Sequence, residues 1–145
     1  EMCIRDSVND MNPETRDLLE TNMKAFDKKR NANGTYVVGT MDARSLASSL
    51  PETRNMADVL LVNLPHDGIK HLPDLLPLLS NGQALLCGWS IIETSETEAF
   101  MSALKAILHA SNRMIESDKL DIVKGFSATK SMVRYECILS SNINR

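Results

Sequence analysis

Cysteine is scarce in this sequence: Cys3, Cys87 and Cys137 are an odd number and share no Cys-x-x-Cys spacing. That pattern argues against a disulfide framework and a thiolate zinc site, and it favours reduced, intracellular thiols. An excess of charge of one sign is also lacking. Sixteen Lys and Arg stand against 19 Asp and Glu, a net of −3, so no sequence-wide basic field advertises a nucleic acid, and any grip on RNA must be local or lie elsewhere. Long apolar runs are missing too. The longest, at 59–62 and 75–79, fall far short of the roughly 20 residues a bilayer span needs. With no secretory apolar region at its start, the chain reads as soluble and cytoplasmic. His66 and His71 are five apart rather than four, so one helix face does not present both, and no metal is assigned. Ser45, Ser48 and Ser49 sit in no Gly-x-Ser-x-Gly frame, which leaves hydrolase chemistry without support. The eight methionines follow no helical spacing, and there is no internal repeat or low-complexity tract.

At 145 residues and 43% hydrophobic content the chain has material for one core, since domains commonly run about 100 to 150 residues. One domain, or part of one, is the expectation. The first seven residues, Glu1-Met2-Cys3-Ile4-Arg5-Asp6-Ser7, resemble the read-through translation of a sequencing adapter and are set outside the fold reading. On that expectation the natural sequence is cut at about Val8, and residues 8–145 are a fragment.

Asn12 is placed to cap a helix with Pro13 at its first position and Glu14 in its first turn, with Leu18, Leu19, Met23 and Phe26 as the buried stripe. The polar run 27–34 ends that helix, and Thr35-Tyr36-Val37-Val38 reads as a strand delivering Asp42 to its end. The stretch 45–55 is a polar connection with room for one helical turn. Val59-Leu60-Leu61-Val62 is continuously apolar, the mark of a strand covered on both faces. Leu72, Leu75, Leu76 and Leu79 repeat at helical spacing, with Pro77 set to kink or shorten the helix. Asn81-Gly82 turns the chain into a buried strand at 84–89, ending on Trp89. Ser95-x-x-Glu98 spells a capping box before a helix with Phe100, Leu104, Ile107 and Leu108 inside. Segments 120–126 and 132–139 read as a hairpin, the latter alternating Val133, Tyr135, Cys137 and Leu139 with Arg134 and Glu136. The order is alternating α/β followed by a terminal antiparallel hairpin.

Three peptides fall where apolar strands give way to loops: Asn9-Asp10-Met11-Asn12-Pro13, Met41-Asp42-Ala43-Arg44 and Asn63-Leu64-Pro65-His66. In open α/β sheets ligands lie beyond the carboxyl ends of parallel strands, so acidic and amide groups there can converge on one ligand. Asp10 and Asp42 are 32 positions apart, matching a strand-helix-strand step of about thirty residues.

These peptides, with Val123-Lys124-Gly125-Phe126 before the final strand and Asn22 late in the first helix, resemble the archaeal and eukaryotic type of tRNA (guanine-37, N1)-methyltransferase. The likeness runs nearly end to end from Val8. It implies an α/β fold: a Rossmann-like class I methyltransferase sheet with a C-terminal antiparallel hairpin, in strand order 3-2-1-4-5-7-6. The first strand and its glycine-rich loop would precede Val8 and are lacking here. It implies S-adenosylmethionine as cofactor, with Asp10 at the ribose, Asp42 and the Ala43 backbone at the adenine, Met11 and Asn63 also among the cofactor-binding residues, and Asn63 with Pro65 lining the target-base pocket and acting in catalysis. The implied partner is tRNA, held mainly by upstream regions, with no metal and a monomeric state. The family's proton acceptor is also upstream. Where the family continues with aromatic residues after the fifth strand, this chain has Cys87-Gly88-Trp89-Ser90. A sheet without its middle strand has two unpaired interior edges, so these residues alone are expected to be poorly soluble or molten.

Each peptide has a plainer reading. Asn9–Asp10 and its neighbours can be a strand end and a helix cap, and Asn63-Leu64-Pro65 is only a three-letter match. His66 and His71 read as surface or loop residues, Lys28-Lys29-Arg30 as a solvated helix end and Trp89 as a loop anchor. The rival functions are a related RNA-modifying transferase, moving an aminocarboxypropyl group or methylating an amino group, and a catalytically silent Rossmann-like binding module.

Overall fold

The computed structural model describes residues 5–30 and 34–141. Cys3 and the other residues of 1–4 lie outside the described residues, as does the segment 31–33 of the expected polar run. Two compact units are present, Glu1–Leu46 and Ala47–Arg145. Each has its own hydrogen-bonded sheet.

In the first unit β1 (Arg5–Asn9) lies parallel to β2 (Thr35–Gly39), from Arg5 opposite Thr35 to Asn9 opposite Gly39. β1 takes in Arg5, Asp6 and Ser7, three of the residues set aside as adapter-derived. Asn12 caps as its type predicts, its side-chain oxygen accepting from the Glu14 N–H at 3.0 Å. The cap opens a 3-10 turn, Pro13–Thr15, that runs into α1 (Arg16–Arg30). Only part of the expected stripe is buried. Met23 is 8% exposed, but Leu18 is 61% and Phe26 46% exposed. Two strands spaced about 5 Å apart offer a helix only a narrow strip of cover.

The second unit holds a four-stranded mixed sheet in the order β3-β4-β6-β5, built from β3 (Val59–Val62), β4 (Ala84–Glu93), β5 (Arg113–Gly125) and β6 (Lys130–Ser141). β3 and β4 are parallel, and β6 runs antiparallel to both β4 and β5. A single-turn α2 (Leu46–Ser49) leads in, as foreseen for 45–55, while α3 (Gly68–Leu75) and α4 (Thr97–Ala110) follow β3 and β4. Within the first unit the pairing β2-β1 matches the 3-2 part of the expected order, and within the second β3-β4-β6-β5 matches the 4-5-7-6 part.

The alternation in β6 is fully expressed, since Val133, Tyr135, Cys137 and Leu139 are all 0% exposed. Leu72, Leu75, Leu76 and Leu79, and Leu104 and Leu108 of α4, are buried as well. The Phe100 ring sits 5.8 Å from that of Tyr135. Gly88 makes this packing possible: a Cβ there would stand 2.2 Å from the Tyr135 hydroxyl oxygen.

Several local expectations change. Among the described residues β3 is covered on one face only, with Val59 54% and Leu61 63% exposed, and it has one hydrogen-bonded neighbour. Trp89 does not end its strand, because β4 continues four residues to Glu93. The Ser95–Glu98 capping box does not form: a 3-10 turn, Thr94–Glu96, places Glu96 at the cap without a side-chain bond. As foreseen for Pro77, α3 is short, stopping at Leu75 while Pro77 falls in the 3-10 turn Leu76–Leu78; the proline inside the helix is Pro73. β5 starts earlier than its apolar part suggests, because Asn112 ends α4 with φ 55°, a left-handed conformation that asparagine tolerates.

Candidate functional site

In the first unit, parallel pairing in register brings β1 and β2 to an end at the same rim, so Asp10 and Asp42 follow the carboxyl ends of neighbouring strands. The Asp10 N–H donates to the Gly39 carbonyl at 3.2 Å, carrying the pairing one residue further. Asn9 then locks the two loops together. Its amide nitrogen donates to the Met41 carbonyl at 2.8 Å, and its carbonyl oxygen accepts from the Met41 N–H at 3.1 Å. Gly39 leaves room for it, since a Cβ there would stand 2.6 Å from Asn9 Oδ1. Asn9 belongs to the motif, yet sequence reasoning gave it no role. The signal was present in an amide at the last strand position, able to donate and accept at once.

The aspartates are held differently. Asp10 Oδ1 accepts from the Asn12 N–H at 2.9 Å, and the residue is exposed. Asp42 caps the turn Ala43–Ser45, its Oδ1 accepting from the Arg44 N–H at 3.0 Å. Its carboxylate is also paired with the Arg44 guanidinium, through Nε at 2.9 and 3.0 Å and through a terminal nitrogen. Met11 is 66% exposed. Ala43 is half-buried and opens its turn, so its N–H has no partner in the turn's own hydrogen bonds.

In the second unit Asn63 follows β3 directly and is exposed, and its carboxamide bonds to no described residue. The peptide beyond it is fixed at two points. The Leu64 carbonyl accepts from the Gly68 N–H at 2.7 Å, and the Pro65 carbonyl accepts from the Ile91 N–H of β4 at 2.8 Å. Asp67 and Lys70 pair at 2.9 Å, and this hydrogen bond holds the Asp67 carboxyl below the usual range. The hairpin tip reaches the same loop: the Phe126 and His66 rings meet nearly edge-on, 6.3 Å apart at 79°. Neither ring was singled out for this contact in the sequence. A separate open cavity of about 440 Å³ is lined by Ile91, Glu93, Phe100 and Lys130 among others and by none of the candidate residues.

Cys87 and Cys137 are buried free thiols, and burial raises the pKa of both, that of Cys137 to about 11. Among the described residues no three His, Cys, Asp or Glu side chains gather as metal ligands, and no helix is long and apolar enough to cross a membrane. Asn22, Lys28 and Lys29 are exposed on α1.

No protein-family model matches the chain, and no curated protein sequence matches it. Solved structures do. The M. jannaschii TYW2 structure in complex with AdoMet superposes with a TM-score of 0.77 at 15% identity, over 93% of this chain and 57% of that one. Wild-type Trm5b from Pyrococcus abyssi gives 0.73 at 15% identity, over 92% and 37%. The complex of aTrm5 and tRNALeu gives 0.63 at 15% identity, over 91% and 34%. The chain thus spans between a third and three fifths of the length of these structures. Its fold is the Rossmann-like α/β fold of the TYW2 and Trm5 structures.

Proposed function

We propose that the chain is the catalytic-domain portion of an S-adenosylmethionine-dependent tRNA methyltransferase acting at N1 of the guanine next to the anticodon, and that it is inactive without further protein. The observation that carries the reading is the parallel strand pair ending in Asp10 and in Asp42-Ala43, in a chain that superposes on an AdoMet-bound structure. The residues fit such a cofactor. Asp10 offers an exposed, acceptor-only carboxylate suited to a pair of ribose hydroxyls, and Ala43 offers a backbone N–H suited to a ring nitrogen. Asp42 holds that N–H in place by capping its turn. When bound, the cofactor supplies a methyl group already activated on a sulfonium. The work left to the protein is therefore orientation and exclusion of water. Asn63 would orient the acceptor base with its donor and acceptor, and Pro65, tied to β4, would hold the wall beside it.

Isothermal titration of S-adenosylmethionine tests the cofactor half. Asp10→Ala is expected to abolish measurable binding and Asp42→Asn, which keeps the cap, to weaken it less; equal affinity in Asp10→Ala would overturn the reading. A second reading, transfer of an aminocarboxypropyl group in the wyosine pathway, is favoured by the likeness to TYW2. Mass analysis of tRNA nucleosides after incubation with the longer protein separates the two by added mass. The tripeptide Asn63-Leu64-Pro65 supports the first.

A further inference from the structure

The tip of the β5–β6 hairpin is built more firmly than a solvent loop requires. Phe126 N–H and Ser127 N–H both donate to the Lys130 carbonyl, at 2.8 and 3.1 Å, and the Thr94 N–H donates to the Thr129 carbonyl at 2.8 Å. The Lys130 N–H in turn donates to Ser127 Oγ at 3.1 Å. So braced, the tip still leaves Phe126 53% exposed, with the exposed His66 ring as its aromatic neighbour. His66 stands three residues beyond Asn63, whose carboxamide is exposed. Two residues before Phe126, Lys124 is exposed and has no carboxylate within ion-pair distance among the described residues. An aromatic ring held half-open, a free cation and a free carboxamide match the parts of an unpaired nucleotide: a π-face, a phosphate and a base edge. A protein or peptide partner of aliphatic character would not call on the lysine and the carboxamide.

We propose that Phe126, braced by His66, is a stacking platform for an unpaired nucleobase of single-stranded RNA entering the rim at Asn63. The inference rests on the RNA-modifying reading above and extends it to residues outside the cofactor site. Lys124 contributes the phosphate contact.

The test uses the longer protein that carries these residues and a fluorophore-labelled, unstructured RNA oligonucleotide, with an abasic version of the same oligonucleotide as the second probe. Stacking is worth about 1–3 kcal/mol per base, so Phe126→Leu should weaken binding of the intact RNA by about 5- to 150-fold. It should leave binding of the abasic RNA unchanged. Phe126→Trp should retain affinity, and Lys124→Ser should weaken both probes alike and flatten the salt dependence. Circular dichroism and titration of S-adenosylmethionine are run on every variant. If Phe126→Leu binds intact RNA as tightly as the parent, or loses equal affinity for both probes, the platform is refuted while cofactor binding leaves the proposed function standing. A parent chain that binds no RNA also refutes the platform. If it binds no cofactor either, the proposed function falls with it.

Discussion

Replacing Asn9 with alanine removes two hydrogen bonds at once, the 2.8 Å bond to the Met41 carbonyl and the 3.1 Å bond from the Met41 N–H. At about 0.5–1.5 kcal/mol each, the loss is about 1–3 kcal/mol, and Met41 is only partly reached by water that would replace it. Gly39→Ala should damage the same contact by a different route, because its Cβ would stand 2.6 Å from Asn9 Oδ1. Overpacking of this kind costs about 1–3 kcal/mol. With Asn9 already alanine the offending oxygen is gone, and the nearest remaining contact, to the Asn9 Cβ at 3.7 Å, is an ordinary one. The double variant should therefore be no less stable than Asn9→Ala alone. Asn9→Asp adds a pH signature: a carboxylate can accept from the Met41 N–H but faces the Met41 carbonyl with no proton to donate. Its pKa should rise in the folded state, so the variant gains stability as pH falls and the carboxyl protonates. Hydrogen exchange at the Met41 amide and thermal unfolding are the readouts, with cofactor affinity falling alongside. Additive losses in the double variant, or unchanged Met41 protection in Asn9→Ala, would refute the clamp.

Four further outcomes follow from the second unit. Gly88→Ala should cost at least about 1–3 kcal/mol, because its Cβ meets both Tyr135 Oη at 2.2 Å and Cζ at 2.3 Å; Trp89 fluorescence during urea unfolding reads it. Arg113, 5% exposed, donates to the carbonyls of Ser80, Leu79 and Leu76 at 2.6, 2.8 and 3.1 Å, so Arg113→Leu should cost on the order of 3 kcal/mol in the same assay, with Arg113→Lys recovering part of it. Burial raises the Cys137 thiol from 9.0 to about 11, so in that window the unfolded state holds fewer protons and stability should fall as pH rises; Cys137→Ala should make the slope shallower. Leu61, 63% exposed on the one-sided strand β3, should promote dye binding and concentration-dependent light scattering, and Leu61→Lys should reduce both.

What could be read from the sequence was mostly what periodicity encodes. The Val133 to Leu139 alternation, the Leu104 and Leu108 pair and the strand ends at Asp10, Asp42 and Asn63 all stand where pattern and turn chemistry place them. Misreadings cluster where a pattern describes burial that the described residues do not supply. The continuous apolar run of β3 is written for two covered faces, whereas one is covered here. Leu18 and Phe26 likewise complete a helical stripe that a two-stranded sheet cannot cover. The opposite error occurs in β5, whose first half, Arg113 to Lys119, carries too many polar residues to read as a strand. It pairs with β6 all the same, as an edge whose register shifts between Ile115 and Ser117, and polar edges are tolerated. The Asn9 clamp and the Phe126–His66 contact were not legible because both join residues distant in sequence whose meeting depends on register.

The two strand ends of the first unit are built alike, and the likeness explains why their aspartates are not equivalent. After β1 come Asp10, Met11 and the capping residue Asn12, and after β2 come Thr40, Met41 and the capping residue Asp42. Structurally, Asp42 corresponds to Asn12, and Asp10 corresponds to Thr40. Asp42 therefore occupies the station that organises a turn, with both its oxygens engaged by the backbone and guanidinium of Arg44. Asp10 occupies the station next to the strand, where one oxygen accepts from the Asn12 N–H and no described residue donates to the other. The geometry divides the labour: Asp10 keeps an exposed carboxylate beside the strand end, Asp42 caps the turn that Ala43 opens, and Asn9 ties the two loops together.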